Sequence, residues 1–348
     1  MPHFLAYIFD ESALQAAVSH LSSIILVFLV ALCIALLTKG ANIMIDGVVY
    51  LARRTGLPRI VIGATIVSLG TTTPEAFVSV MAAWMGNPGL ALGNGVGSII
   101  ADTGLIFGVS CVLAPMPVNK LILNRTGWVQ VGSATLLVVV SLLLNIASKG
   151  QPVLPRWIGL LFLLLLGGYL YATSVWARQG AALSLEEPDT SAVAGIAKSV
   201  AMIVGGLALV VGGARILIPC AAELAGRLGV PDDVIAATMV AFGTSLPELA
   251  TAVLAIRKGH PEITIGNIVG ADVLNCLFVI GAAAAARPLS IPANFFAFHY
   301  PAMLLILYSF RFFVFINKEG TFKKAQGAWL LAIYLVYLIL QYGLRLGR

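Results

Sequence analysis

The chain has 348 residues, of which 59% are hydrophobic and 10% charged, with a formal net charge of +6. A soluble globule of that composition would have no water-facing surface, so the chain is read as an integral membrane protein. The positive excess sits in the joints between apolar runs, where it suits an anionic lipid surface, and nothing in it suggests nucleic acid.

Ten apolar runs of about 20 residues, the length that spans the hydrocarbon core, follow one another at 22–50, 59–84, 89–114, 127–146, 156–176, 193–225, 232–257, 262–286, 293–316 and 325–345. Helices are expected for all of them, because a bilayer offers the backbone no other hydrogen-bonding partner and the runs are too long and too uniformly apolar for barrel strands. The fold class is therefore all-α. No basic residue precedes the first run, which argues for a retained helix rather than a cleaved signal peptide.

Thirteen Lys and Arg fall on one side of this layout and seven on the other, with Lys39 inside the first run. The positive-inside rule then places both termini outside the cytoplasm. Cys33, Cys111, Cys220 and Cys276 all fall inside runs, with no CxxC pair, and are read as small core residues.

One block occurs twice. At a constant offset of 173, Arg54–Pro115 aligns without a gap with Arg227–Pro288, and 22 of the 62 positions are identical. Five crossings separate the copies, so they enter the membrane from opposite sides as an inverted repeat. The chain divides into a five-helix half at 1–177 carrying the repeat at 54–115, a polar linker at 178–192 with Glu186, Glu187 and Asp189, and a second five-helix half at 193–348 carrying the repeat at 227–288.

Pro74 and Pro247 sit inside these repeats, and each lacks an amide donor, so a helix break is expected at Gly70 and at Gly243. Glu75 stands one turn from Thr71 and Glu248 one turn from Thr244, which puts hydroxyl and carboxylate on one face. A carboxylate near the bilayer centre costs about 3 kcal/mol on insertion scales, and the sequence carries that cost at equivalent positions of both halves. The next helix of each repeat adds a polar stripe, Asn94, Ser98 and Asp102 in the first half and Asn267, Ala271 and Asn275 in the second. Gly93 with Gly97, and Gly266 with Gly270, are spaced for close helix approach. Hydroxyls, amides, carbonyls and carboxylates without imidazole or thiolate suit hard cations such as calcium and sodium. Competition for one charge-limited site is what an antiporter needs.

The segments GTTTPE at Gly70 and GTSLPE at Gly243, followed by GNGVGS at Gly93 and GNIVGA at Gly266, resemble the two α-repeats of the calcium/cation antiporter superfamily, of the prokaryotic sodium/calcium exchanger type. That resemblance implies that Thr71, Thr72, Glu75, Ser98 and Asp102, with Thr244, Ser245, Glu248 and Asn275, line the ion sites, aided by the carbonyls of Ser68 and Ala241. It also implies alternating access, with the first and sixth helices sliding over the core. The chain departs from the family pattern in placing the acid at Asp102 rather than at Asn275, in carrying Ala271 where a Ser is usual, and in Asp272, whose repeat partner is Ile99.

Asp46, Lys39, Arg215 and Glu223 on the first and sixth helices are read as structural before gating, and the four His as terminal or interfacial. The expectation is a calcium-for-sodium antiporter, with calcium/proton exchange on Asp102 and the two Glu as the alternative. Neither a protease nor another enzyme is indicated, and no cofactor is expected. Inorganic cations are the substrates, the lipid bilayer is the surrounding partner, and a monomer suffices. The expected location is the plasma membrane of a prokaryote, the inner membrane if Gram-negative.

Overall fold

The computed structural model describes residues 11–55, 58–84, 86, 88–183, 195–228 and 245–343. After a short helix α1 (Glu11–Ser19) come α2 (Ser23–Thr55), α3 (Arg59–Trp84), α4 (Pro88–Leu113), α5 (Lys120–Ala147) and α6 (Arg156–Leu183). The second half has α7 (Ile196–Arg227), α8 (Leu246–Arg257), α9 (Pro261–Ala286), α10 (Phe295–Ile316) and α11 (Lys324–Leu338). Among the described residues nine helices are long and apolar enough to cross a membrane. The tenth expected span, 232–257, lies partly outside the described residues, and its described part is α8. Helix α6 continues to Leu183, into the stretch read as the start of the linker.

Two small ribbons fix the parity of the crossings. Strand β1 (Met116–Pro117), after α4, pairs antiparallel with β4 (Thr321–Phe322), after α10, with Met116 opposite Phe322. Strand β2 (Val153–Leu154), after α5, pairs with β3 (Leu289–Ser290), after α9, with Val153 opposite Ser290. Each ribbon joins one half to the other. For β2 and β3 to lie on one side, the chain must cross an even number of times between them; α6, α7 and α9 supply three, so the pairing agrees with one further span and the expected total of ten.

The repeat also shows in the turns. Gly86 and Gly259, related by the offset of 173, both take positive φ, 83° and 77°, conformations that a side chain resists. Each closes its helix, with the Gly86 amide donating to Ala83 O at 3.1 Å and the Gly259 amide to Ile256 O at 3.0 Å. A proline two residues on, Pro88 or Pro261, then starts the next helix where its missing amide costs nothing.

Helices α2 and α7 pack backbone to backbone. A Cβ on Gly206 would stand 2.5 Å from Gly40 O, and one on Gly40 would stand 2.7 Å from Gly206 O. Helices α3 to α6 and α8 to α11 form the main core, in which α9 is the most enclosed of the spans. All four cysteines are free and buried, in keeping with their reading as core residues. His299 differs from its interfacial reading: it is buried, and its Nδ1 lies 3.0 Å from Tyr337 Oη, joining α10 to α11. Asp46 is tied to Lys258 Nζ at 2.7 Å and Glu223 to Arg227 Nε at 2.8 Å, both as ion pairs.

Candidate ion site

Glycine lets α9 lie directly on α3. A Cβ on Gly266 would stand 2.1 Å from Ile60 O, and one on Gly270 would stand 2.5 Å from Ala64 O. The small-residue reading therefore holds for Gly266 and Gly270. The equivalent Gly93 and Gly97 meet no such backbone among the described residues, Gly93 approaching only the Phe295 ring at 3.8 Å.

Four helices then bring the polar residues into one buried layer. Helix α3 contributes Ser68, Thr71, Thr72 and Glu75, and α4 contributes Asn94, Ser98 and Asp102. Ser245 and Glu248 come from the start of α8, and Asn267, Asp272 and Asn275 from α9. Ala241 and Thr244 lie outside the described residues, as does Gly243.

The expected break at Pro74 is not where α3 departs from regular geometry. The α-helix Ser68–Trp84 runs through the proline, and the irregular stretch is a π segment at Gly63–Val67. Proline removes only the donor to the Gly70 carbonyl, and the neighbouring carbonyls gain side-chain donors: the Thr71 hydroxyl donates to Ser68 O at 3.3 Å and the Thr73 hydroxyl to Leu69 O at 2.6 Å. In the second half α8 starts at Leu246, with Ser245 at its N-cap and Pro247 in its first turn. Glu248 thus sits in the first turn, where the helix dipole favours negative charge.

Two further π segments, Ala101–Phe107 in α4 and Asn275–Ile280 in α9, were not anticipated from the sequence. They occupy equivalent stretches of the two repeats and take in the stripe residues Asp102 and Asn275 in their first turn. Such widened turns are frequent at functional sites.

Repeat-related residues meet one another. The Asn275 amide donates to Asp102 Oδ2 at 3.4 Å, although the two residues are equivalents at the 173 offset. Glu75 and Glu248, also equivalents, are close enough to repel electrostatically, as are Asp102 and Glu248. The pseudo-two-fold axis of the inverted repeat therefore runs through this layer. The Thr71 hydroxyl reaches Asn267 Oδ1 at 3.4 Å, again across the halves. Asn94 holds α4 to α3, donating its amide to Glu75 O at 3.1 Å and to Ser79 Oγ at 2.9 Å.

What remains unpaired is mostly oxygen. Thr72 Oγ1, Glu75 Oε2, Asp102 Oδ1, Ser245 Oγ, Glu248 Oε2 and Asn275 Oδ1 are buried without a hydrogen-bond partner. A buried polar atom without a partner is costly, and a set rich in anionic and neutral oxygen calls for a cation. Among the described residues no three acidic, His or Cys side chains converge as a compact metal centre would require. The acids are instead spread along the layer and interleaved with hydroxyls and amides, an arrangement suited to loosely held hard ions.

Comparison with known proteins gives the same picture. The family model described as sodium/calcium exchanger protein matches residues 25–175 and 198–343. The sodium/calcium exchanger MaX1 of Methanosarcina acetivorans is 30% identical over 337 residues, covering 87% of this chain and 94% of that protein. The inner membrane protein YrbG of Escherichia coli is 30% identical over 278 residues, covering 78% of this chain and 83% of that protein. Among solved structures, the sodium-calcium exchanger NCX_Mj, soaked with Na+ and Sr2+, superposes with a TM-score of 0.77 at 26% identity, over 90% of this chain and 98% of that one. The chain belongs to the sodium/calcium exchanger family; it is a multi-pass membrane antiporter of inorganic cations and not an enzyme.

Proposed function

We propose that this member of the sodium/calcium exchanger family moves calcium in exchange for sodium, by alternating access to one site on the pseudo-two-fold axis. The observation that carries this reading is the placing of Glu75, Glu248 and Asp102 along one buried layer whose leftover atoms are mainly oxygens. Three ionised acids accept one calcium, or two to three sodium ions, but not both loads together. Binding one ion then requires release of the other, and that is the coupling. The names of MaX1 and NCX_Mj support sodium as the partner ion.

In this reading Ser68, Thr71, Thr72, Glu75, Asn94, Ser98 and Asp102 from the first half, with Ala241, Thr244, Ser245, Glu248, Asn267 and Asn275 from the second, form the ion path. Ser68 and Ala241 contribute carbonyls. Thr71, Thr72, Ser98, Thr244 and Ser245 contribute hydroxyls that replace part of an ion's hydration shell. Asn94 positions the Glu75 backbone through its two hydrogen bonds. The protein works as a monomer in the plasma membrane, with both termini outside the cytoplasm.

The test is calcium uptake into sealed proteoliposomes under an outward sodium gradient, and under an outward proton gradient in a parallel sample. Uptake with sodium alone supports the proposal. Uptake with protons alone overturns the sodium reading and assigns proton carriage to Asp102 and the two Glu.

A further inference from the structure

Asp272 is a fourth buried acid in the same layer, and the three-acid site does not use it. It is 1% exposed, and its charge acts on Asp102. Its Oδ2 receives the hydroxyl of Thr103, the residue after Asp102, and the Gln130 amide of α5 at 2.6 Å. A carboxylate oxygen can only accept from that amide, so the nitrogen of Gln130 faces Asp272 and its carbonyl oxygen points elsewhere. Two acceptors are then left over: Asp272 Oδ1 and Gln130 Oε1 are both buried without a donor. They belong to side chains that already touch.

At the offset of 173, Asp272, Thr103 and Gln130 correspond to Ile99, Cys276 and Met303, all apolar and fully buried. The equivalent positions are thus apolar in one half and an acid, a hydroxyl and an amide in the other. Polar groups buried where hydrophobic ones suffice cost stability, which points to a use for them.

Charge indicates the use. The four buried acids, Glu75, Glu248, Asp102 and Asp272, have no Lys, Arg or His hydrogen-bonded to them among the described residues, and one calcium balances at most two carboxylates. We propose that Asp272 and Gln130, braced by Thr103, form an accessory site for one alkali cation, sodium or potassium, beside the calcium site. Asp272 Oδ1 and Gln130 Oε1 are its side-chain ligands. Thr103 lies inside the π segment of α4, and Asp272 stands three residues before that of α9. The proposal deepens the exchanger reading and rests on it: it adds one alkali ion to the load that the chain holds.

The experiment is equilibrium binding of radiolabelled sodium, and of rubidium as a stand-in for potassium, to the full-length protein in detergent, with and without calcium. Wild type is expected to hold about one more alkali ion per chain than Asp272→Asn, the charge that a single carboxylate balances. A triple variant, Asp272→Ile, Thr103→Cys and Gln130→Met, copies the packing of the other half and keeps the test open should Asp272→Asn misfold. It is expected to lose the same ion. An alkali count in the triple variant equal to wild type overturns the site. So does a change confined to proton uptake, with no alkali ion lost. Failure of wild type to move calcium in liposomes overturns the exchanger reading instead, and the ion count still decides the Asp272 site.

Discussion

Replacing Gly266 by Ala tests whether α9 lies on α3 as closely as the site requires. The added Cβ would stand 2.1 Å from the Ile60 carbonyl oxygen and 3.0 Å from the Ala64 amide nitrogen, both backbone atoms that cannot rotate away. Carbon and carbonyl oxygen settle no closer than about 3.3 Å, so the two helices must part locally by roughly 1.2 Å. Overpacking of this kind costs about 1–3 kcal/mol. The displacement also separates Thr71 from Asn267, which hydrogen-bond across the same contact, so calcium flux is expected to fall on the order of tenfold or more, as for other small misplacements of positioned groups. Gly168→Ala is the control, because nothing lies within 4 Å of a Cβ there. The assay is flux in proteoliposomes together with thermal unfolding followed by a thiol-reactive dye, for which the four buried cysteines are ready reporters. A Gly266→Ala protein that melts and transports as wild type does would refute the close crossing of α3 and α9.

Glu75→Gln and Glu248→Gln are each expected to abolish calcium uptake while leaving the protein folded, since Gln keeps the shape and removes the charge; undiminished flux in either would exclude a shared site. Asp102→Asn is expected to impair exchange, and adding Asn275→Asp should restore part of it, because the two residues touch across the pseudo-two-fold axis; a double variant no better than the single would show that the acid works from one side only. Removing the Arg59–Glu262 pair, at 3.0 Å and about a quarter exposed on each side, with Arg59→Ala should lower stability by no more than about 1 kcal/mol, read as a small shift in melting temperature. A loss several times larger would mean that the pair is shielded from water.

The polar triad of Asp272, Thr103 and Gln130 shows where one-dimensional reading stops. Asp272 stands one residue off the stripe of Asn267, Ala271 and Asn275, and its partners lie on two other helices, 169 and 142 residues away in sequence. No periodicity connects them. The π segments were equally hidden, because a widened turn depends on how a helix is held by its neighbours and not on a residue type. The course of α3 through Pro74 has the same origin: sequence shows the missing donor, but the side-chain hydroxyls and the packing on α9 decide where the helix yields.

Sequence by itself determined the membrane setting, the helical class, the two-fold duplication and its inversion, and the residue types of the site, because composition, run length and repeated Gly, Pro, Asn and Glu are properties of the chain. Sequence likewise placed Glu75 and Glu248 at equivalent positions of the two halves. Only the tertiary structure decided which equivalents touch, that Asp102 and Asn275 form one pair, and that Asp272 joins the layer through Thr103 and Gln130. The physical reason is that the bilayer rewards only burial of backbone polar groups and apolar length, which local sequence encodes. Contacts between helices are instead chosen by shape and by the need to pair each buried polar atom, and these appear only once all the helices are in place.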